Sequence, residues 1–190
     1  ILSTDQADFN SAIKFLNALI RTGIVVQKAT APFTVEGKNY PAGSYVVKTD
    51  QAFRPHVLDM FEPQDHPNDF KYEGGAPIPP YDAAGWTLAY LMDVKFDRIQ
   101  NDFNGPFERN PYGKLLVPEN KVAGSSFVLS AAQNDSYTAV NDLLKNKVEV
   151  YRSNENGDFY VSSAGKSILE KANVKLKSAS APKDKMKITA

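Results

Sequence analysis

The sequence predicts an α/β fold made of two related β-α-β-hairpin units in a layered, Rossmann-like sheet arrangement. Three observations carry that expectation. Apolar residues Phe9, Ala12, Ile13, Leu16, Leu19 and Ile20 recur at helical spacing, flanked by short strand-like runs. The same kinds of element return in the same order in the second half. At 190 residues, 42% hydrophobic and 23% charged, the chain has the balance of a folded protein and the length of one good-sized domain or two small ones.

The first unit spans residues 1–50. Ile1 to Thr4 is a short apolar start, and Asp8 is placed to cap the helix that follows. Gly23 supplies its left-handed stop. Ile24 to Ala29 reads as a strand, its Ile-Val-Val run pointing to burial on both faces. Phe33–Glu36 and Ser44–Lys48, around Gly37 and the Pro41-Ala42-Gly43 turn, read as a hairpin.

The second unit, residues 125–177, echoes the first. Leu2-Ser3, Gln6 and Asp8 return as Leu129-Ser130, Gln133 and Asp135. The helix that follows carries Tyr137, Val140, Leu143 and Leu144. Ile24 to Lys28 returns as Val148 to Arg152, and Gly43 to Val47 as Gly157 to Val161. Leu2–Val47 is therefore expected to overlay Leu129–Val161 with the same strand directions and connection order. Between the copies, residues 51–124 form a connecting segment: a short helix with Pro55 in its first turn, a Pro/Gly-rich loop, a helix over Ala83–Met92 and a strand over Lys95–Ile99. Residues 178–190 read as a linker-like tail.

Composition excludes several function classes. Lys plus Arg equals Asp plus Glu at 22 each, which leaves no electrostatic footprint for nucleic acid or an anionic membrane surface. With no cysteine there is no disulfide, thiolate metal site or cysteine nucleophile. The chain opens at Ile1, inside a strand-like run without an initiator Met, so it reads as cut from something longer, with any export signal upstream.

The search for chemistry yields only weak candidates. His56, Asp59, Glu62, Asp65 and His66 cluster in sequence; they are either a two-His carboxylate metal site or a solvated helix end, and no third strong ligand supports the metal. Glu62 and Asp65 would serve acid–base roles only if the fold brought them around a substrate. Gly165-Lys166-Ser167 resembles the end of a phosphate loop but lacks the earlier glycine, and reads as a helix start. Gly124-Ser125-Ser126 precedes a strand, where a nucleophile elbow would follow one. Catalytic, cofactor and metal residues are therefore expected to be none. Tyr72, Tyr81, Asp82 and Trp86 form a candidate interaction surface along the Pro-rich loop, lining a groove or sealing the interface between the repeats.

The stretches NYPAGSYVVKTDQAFRPHVLDMFEPQDHPND (39–69) and PPYDAAGWTLAYLMDVKFDRI (79–99) resemble a region of large bacterial proteins of the zinc carboxypeptidase family, relatives of carboxypeptidase A. In those proteins this region follows the peptidase domain and precedes one similar to class I glutamine amidotransferases. The likeness runs from Leu2-Ser3-Thr4-Asp5-Gln6 to the tail and is most specific over Pro80–Leu88. The family's His-x-x-Glu zinc pattern has no counterpart, since His56 is followed by Asp59 and His66 by Asp69. The resemblance implies a non-catalytic accessory region that packs against the peptidase domain or shapes access to it, with zinc only in that domain. It implies neighbouring domains of the same polypeptide as partners, peptide substrate as a further one, no nucleic acid or membrane, and a periplasmic or secreted location. The rivals are a peptide- or glycan-binding module and a hydrolase with an unrecognised carboxylate site.

Overall fold

The structure, a computed structural model, describes residues 1–63, 67–79, 87–117 and 124–189. It divides into two compact units, Ile1–Thr4 with Phe15–Lys114, and Asp5–Lys14 with Leu115–Ala190. Both mix helices with antiparallel strands, so the α/β class holds at that level.

Helix α1 (Phe9–Arg21) passes from the second unit into the first after Lys14. Asp8 caps it as expected, accepting from the Ser11 N–H at 3.1 Å and the Ser11 hydroxyl at 2.8 Å. Its apolar stripe buries Phe15, Leu16 and Leu19 completely. It ends in a Schellman turn: Gly23 has φ 89°, and the Ile24 N–H returns to the Leu19 carbonyl at 3.0 Å.

In the first unit, β1 (Gln27–Ala29) lies between β4 (Tyr45–Val46) and β5 (Phe107–Arg109), antiparallel to both. Beyond β4, Leu2 forms an antiparallel bridge with Tyr45. Beyond that, Ile1 exchanges both backbone hydrogen bonds with Asp97, each 2.8 Å, the mark of an antiparallel pair. The predicted strand over Ile24–Ala29 begins only at Gln27, because the Gln51 side-chain amide takes both the N–H and the carbonyl of Val25. The predicted hairpin also differs. β2 (Phe33–Val35) pairs with β3 (Lys38–Tyr40), turning through Glu36 and Gly37, both with positive φ as a tight primed turn requires.

The second unit holds β6 (Ser126–Leu129), α4 (Asn134–Lys145), β7 (Val150–Ser153) and β8 (Phe159–Ser162). A 3-10 turn then leads into α5 (Lys166–Leu169), followed by β9 (Lys177–Ser178) and β10 (Lys185–Ile188). The sheet order is β10-β7-β8-β6-β9, every neighbouring pair antiparallel. The linker reading of residues 178–190 fails here. β10 pairs with β7 over four residues, and short Lys-rich edge strands are easily taken for linkers.

The two sheets use one pairing scheme. Leu2↔Tyr45 corresponds to Leu129↔Phe159, Lys28↔Tyr45 to Arg152↔Phe159, and Gln27↔Val46 to Tyr151↔Tyr160. On the far side, Gln27↔Arg109 matches Tyr151↔Lys187. On the near side, the Ile1–Asp97 pair matches Val128↔Lys177. The helix ends match too: the Val148 N–H returns to the Leu143 carbonyl at 3.0 Å, with Lys147 at φ 59° in the place of Gly23. The paired strands thus run in corresponding directions, with β2 and β3 added between β1 and β4 where β7 leads directly to β8.

The Rossmann-like layering does not form. A Rossmann unit sets the strands before and after its helix side by side and parallel. Here the returning hairpin strand, β4 or β8, inserts between them and pairs antiparallel with both. The strands joined by the helix are parallel but never neighbours.

Candidate functional site

The copies differ most after the hairpin strand. Between β8 and α5 the second unit has only the 3-10 turn Ser163–Gly165. At the same place the first unit inserts α2 (Arg54–Phe61) before α3 (Leu88–Leu91). Pro55 occupies the first turn of α2 as the sequence predicts. Phe61 anchors this helix, meeting Phe15 and Phe96 edge to face at centroid distances of 5.0 Å each.

Helix α2 borders an open cleft of about 600 Å³. One wall is the chain leaving β4, Val46 to Asp50; the other is Phe96 to Phe103; Ile1 lies at its end. The two walls run parallel, since each is antiparallel to the Ile1–Leu2 segment between them.

Two ion pairs sit at the cleft, while Asp50, Arg54 and Asp102 also line it. Lys38 Nζ lies 2.6 Å from Asp97, and the Tyr40 hydroxyl donates to the same carboxylate at 3.1 Å. Burial pushes the Tyr40 hydroxyl up to about 12, and its hydrogen bond to Asp97 adds to this. Burial alone would raise Asp97, but the hydrogen bonds from Lys38 and Tyr40 outweigh it and hold the carboxyl below its ordinary value. Arg98 pairs with Glu62 at 3.0 Å. Lys48 donates to the Phe103 carbonyl at 3.1 Å while lying over its ring. Asp97 is thus held as an anion, the wrong form for a general acid near neutral pH.

Among the described residues, neither the N–H nor the carbonyl of Val47 on one wall or of Ile99 on the other has a backbone partner. A second recess, of about 530 Å³, shares Lys48 and Asp50 and is walled by Phe53 and Tyr112.

Of the predicted interaction surface, Tyr72 is 71% exposed beside a tight turn whose arms meet at the Phe70–Pro77 bridge. Tyr81, Asp82 and Trp86 lie outside the described residues, as do Asp65 and His66. Glu62 is bound to Arg98. His56 Nε2 is buried without a hydrogen-bond partner among the described residues. No three His, Cys, Asp or Glu side chains among those residues come close enough to hold a metal, so the described donor set does not fit zinc. Gly165 is explained by packing: a Cβ there would lie 2.8 Å from the Leu143 side chain and closer still to Val161. Sequence reasoning read strands over Ser44–Lys48 and Lys95–Ile99 but missed the cleft between them and the Lys38–Asp97–Tyr40 network. The signal was present, because Asp93-Val94-Lys95-Phe96-Asp97 parallels Asn173-Val174-Lys175-Leu176-Lys177.

No family model, curated protein or solved structure matches the chain.

Proposed function

We propose that this chain is a non-catalytic accessory α/β region of a zinc carboxypeptidase-like protein, and that its first-unit cleft docks polypeptide from a neighbouring domain. One observation carries the reading. Among the described residues, Val47 on one wall and Ile99 on the other have no backbone partner, at positions where a strand beside Ile1–Leu2 would meet them. Such a surface recognises an extended chain through main-chain hydrogen bonds. In this reading the two units arose by duplication, and the insertion in the first adapted one copy to docking. Zinc and peptide hydrolysis belong to the parent's peptidase domain, and the location is periplasmic or secreted, all on the strength of the resemblance. The exposed Tyr72 favours a second reading, a peptide- or glycan-binding module.

Trp86 is the sole tryptophan, so its emission is the chain's one indole signal. Titrating the chain with the separately produced peptidase domain should shift its emission saturably. A saturable shift with short peptides or glycans alone would favour the binding module instead. Release of residues from a test peptide by the chain itself would overturn the non-catalytic reading.

A further inference from the structure

We infer that the first-unit cleft is a β-strand slot, and that its occupant is the polypeptide joined directly to Ile1 in the parent protein. The inference rests on the accessory reading above and specifies what the cleft docks.

The second unit displays the filled counterpart. There β6 runs between β8 and β9, with Leu129↔Phe159 and Val128↔Lys177 in the places of Leu2↔Tyr45 and Ile1–Asp97. Two more residues of β6 continue the pairing. Phe127 opposes Val161 and Ser178, and Ser126 opposes Ser162 while its hydroxyl donates to the Ala179 carbonyl at 2.7 Å. Carried through the common register, Val161 corresponds to Val47, Ser162 to Lys48, Ser178 to Arg98 and Ala179 to Ile99. These residues line the first-unit cleft.

The hydrogen-bond phase assigns the pairing positions. In an antiparallel ladder every second residue exchanges both backbone bonds with a given neighbour. Leu2 exchanges with Tyr45, so the next exchange on that wall falls at Val47. Ile1 exchanges with Asp97, so the next on the opposite wall falls at Ile99. Val47 and Ile99, like their neighbours Thr49, Arg98 and Gln100, have no backbone partner among the described residues, so both positions can accept such a strand. A segment running antiparallel to both walls would pair its first residue with Val47 and its second with Ile99, counting away from Ile1.

The counterpart also gives the side-chain chemistry. Phe127 is 1% exposed within the second unit's core, and Ser126 is half-buried. The occupant should be apolar where it meets Val47, and small and polar where it meets Ile99. Continuity with Ile1 favours a covalently joined segment over a free peptide, because a joined strand loses little further freedom on docking.

The test extends the chain at its N-terminus by Ser-Phe, the pair seen in the second unit, and separately by Ser-Pro. Proline opposite Val47 cannot donate to the ladder. The Ser-Phe extension should raise the melting midpoint by roughly 5 °C and slow exchange of the Val47 amide about tenfold or more, while Ser-Pro does neither. No change with Ser-Phe, together with Val47 protection by a free Ser-Phe-containing peptide, would overturn the joined segment but leave polypeptide docking standing. No change with Ser-Phe and no protection by any peptide or by the peptidase domain would overturn both.

Discussion

Gln133→Ala removes a clamp that explains why a glutamine sits at this point of the chain. Gln133 is 5% exposed; its Nε2 donates to the Lys175 carbonyl at 3.0 Å and its Oε1 accepts from the Lys175 N–H at 2.9 Å. One side chain thereby stands in for a strand partner, holding the segment that leads into β9. Alanine forfeits two hydrogen bonds worth about 1 kcal/mol each, and the orphaned backbone groups add a further penalty of about 1 kcal/mol where water reaches them only partly. The expected loss is about 2–3 kcal/mol in urea unfolding followed by circular dichroism, with the slope unchanged. Gln133→Glu gives a sharper check. At neutral pH it keeps an acceptor but turns a carboxylate oxygen toward the Lys175 carbonyl, so it should lose nearly as much. Below about pH 4 the protonated acid regains a donor and part of the loss should return. A Gln133→Ala loss under about 0.5 kcal/mol, within the range of an ordinary surface change, or a Glu variant as stable as the parent chain at neutral pH, would refute the clamp.

Other outcomes follow from the packing, the helix ends and the titrating pair. Gly165→Ala should cost about 1–3 kcal/mol by driving a methyl into Leu143 and Val161, read by the same unfolding assay. Lys147→Gly should gain about 0.5–1 kcal/mol, relieving the φ of 59° that its counterpart Gly23 adopts without strain; a loss would argue against equivalence of the two helix ends. The lowered Asp97 carboxyl contributes stability that is present above its unfolded value and lost as pH falls through its folded value, on the acid side of about 4. Tyr40, raised to about 12, contributes stability that is full below its unfolded value and is lost as pH rises through the folded one. Asp97→Asn should therefore flatten the acid limb of the melting-temperature profile, and an unchanged limb would remove Asp97 from the account.

The matching order of elements was legible because both halves carry an acid near the helix start, Asp8 and Asp135, and a glycine before the returning strand, Gly43 and Gly157. But Asp8 caps α1, while α4 begins after Gln133 with no side-chain cap. Strand neighbours were not legible. Helical spacing shows that a strand precedes and follows α1, but not that β4 slides between them, because insertion and side-by-side pairing bury the same apolar residues. The short edge strands escaped for a related reason. Lys185-Met186-Lys187-Ile188 pairs through its backbone, and its exposed side chains carry no burial signal. The cleft depends on backbone groups at Val47 and Ile99 whose freedom is a matter of register, which a one-dimensional reading does not contain. The aromatic loop drew notice through composition, and of its four named residues only Tyr72 falls among those described.

Amide hydrogen exchange on the intact parent protein tests polypeptide docking most directly, by comparing Val47 with its counterpart Val161. Val161 is 3% exposed and paired with Phe127 in β6. If the cleft is a strand slot, the Val47 and Ile99 amides in the parent should exchange slowly, Val47 approaching Val161, and both should exchange rapidly in the isolated chain. Rapid exchange at Val47 and Ile99 in the intact parent, with Val161 still protected, would contradict the account.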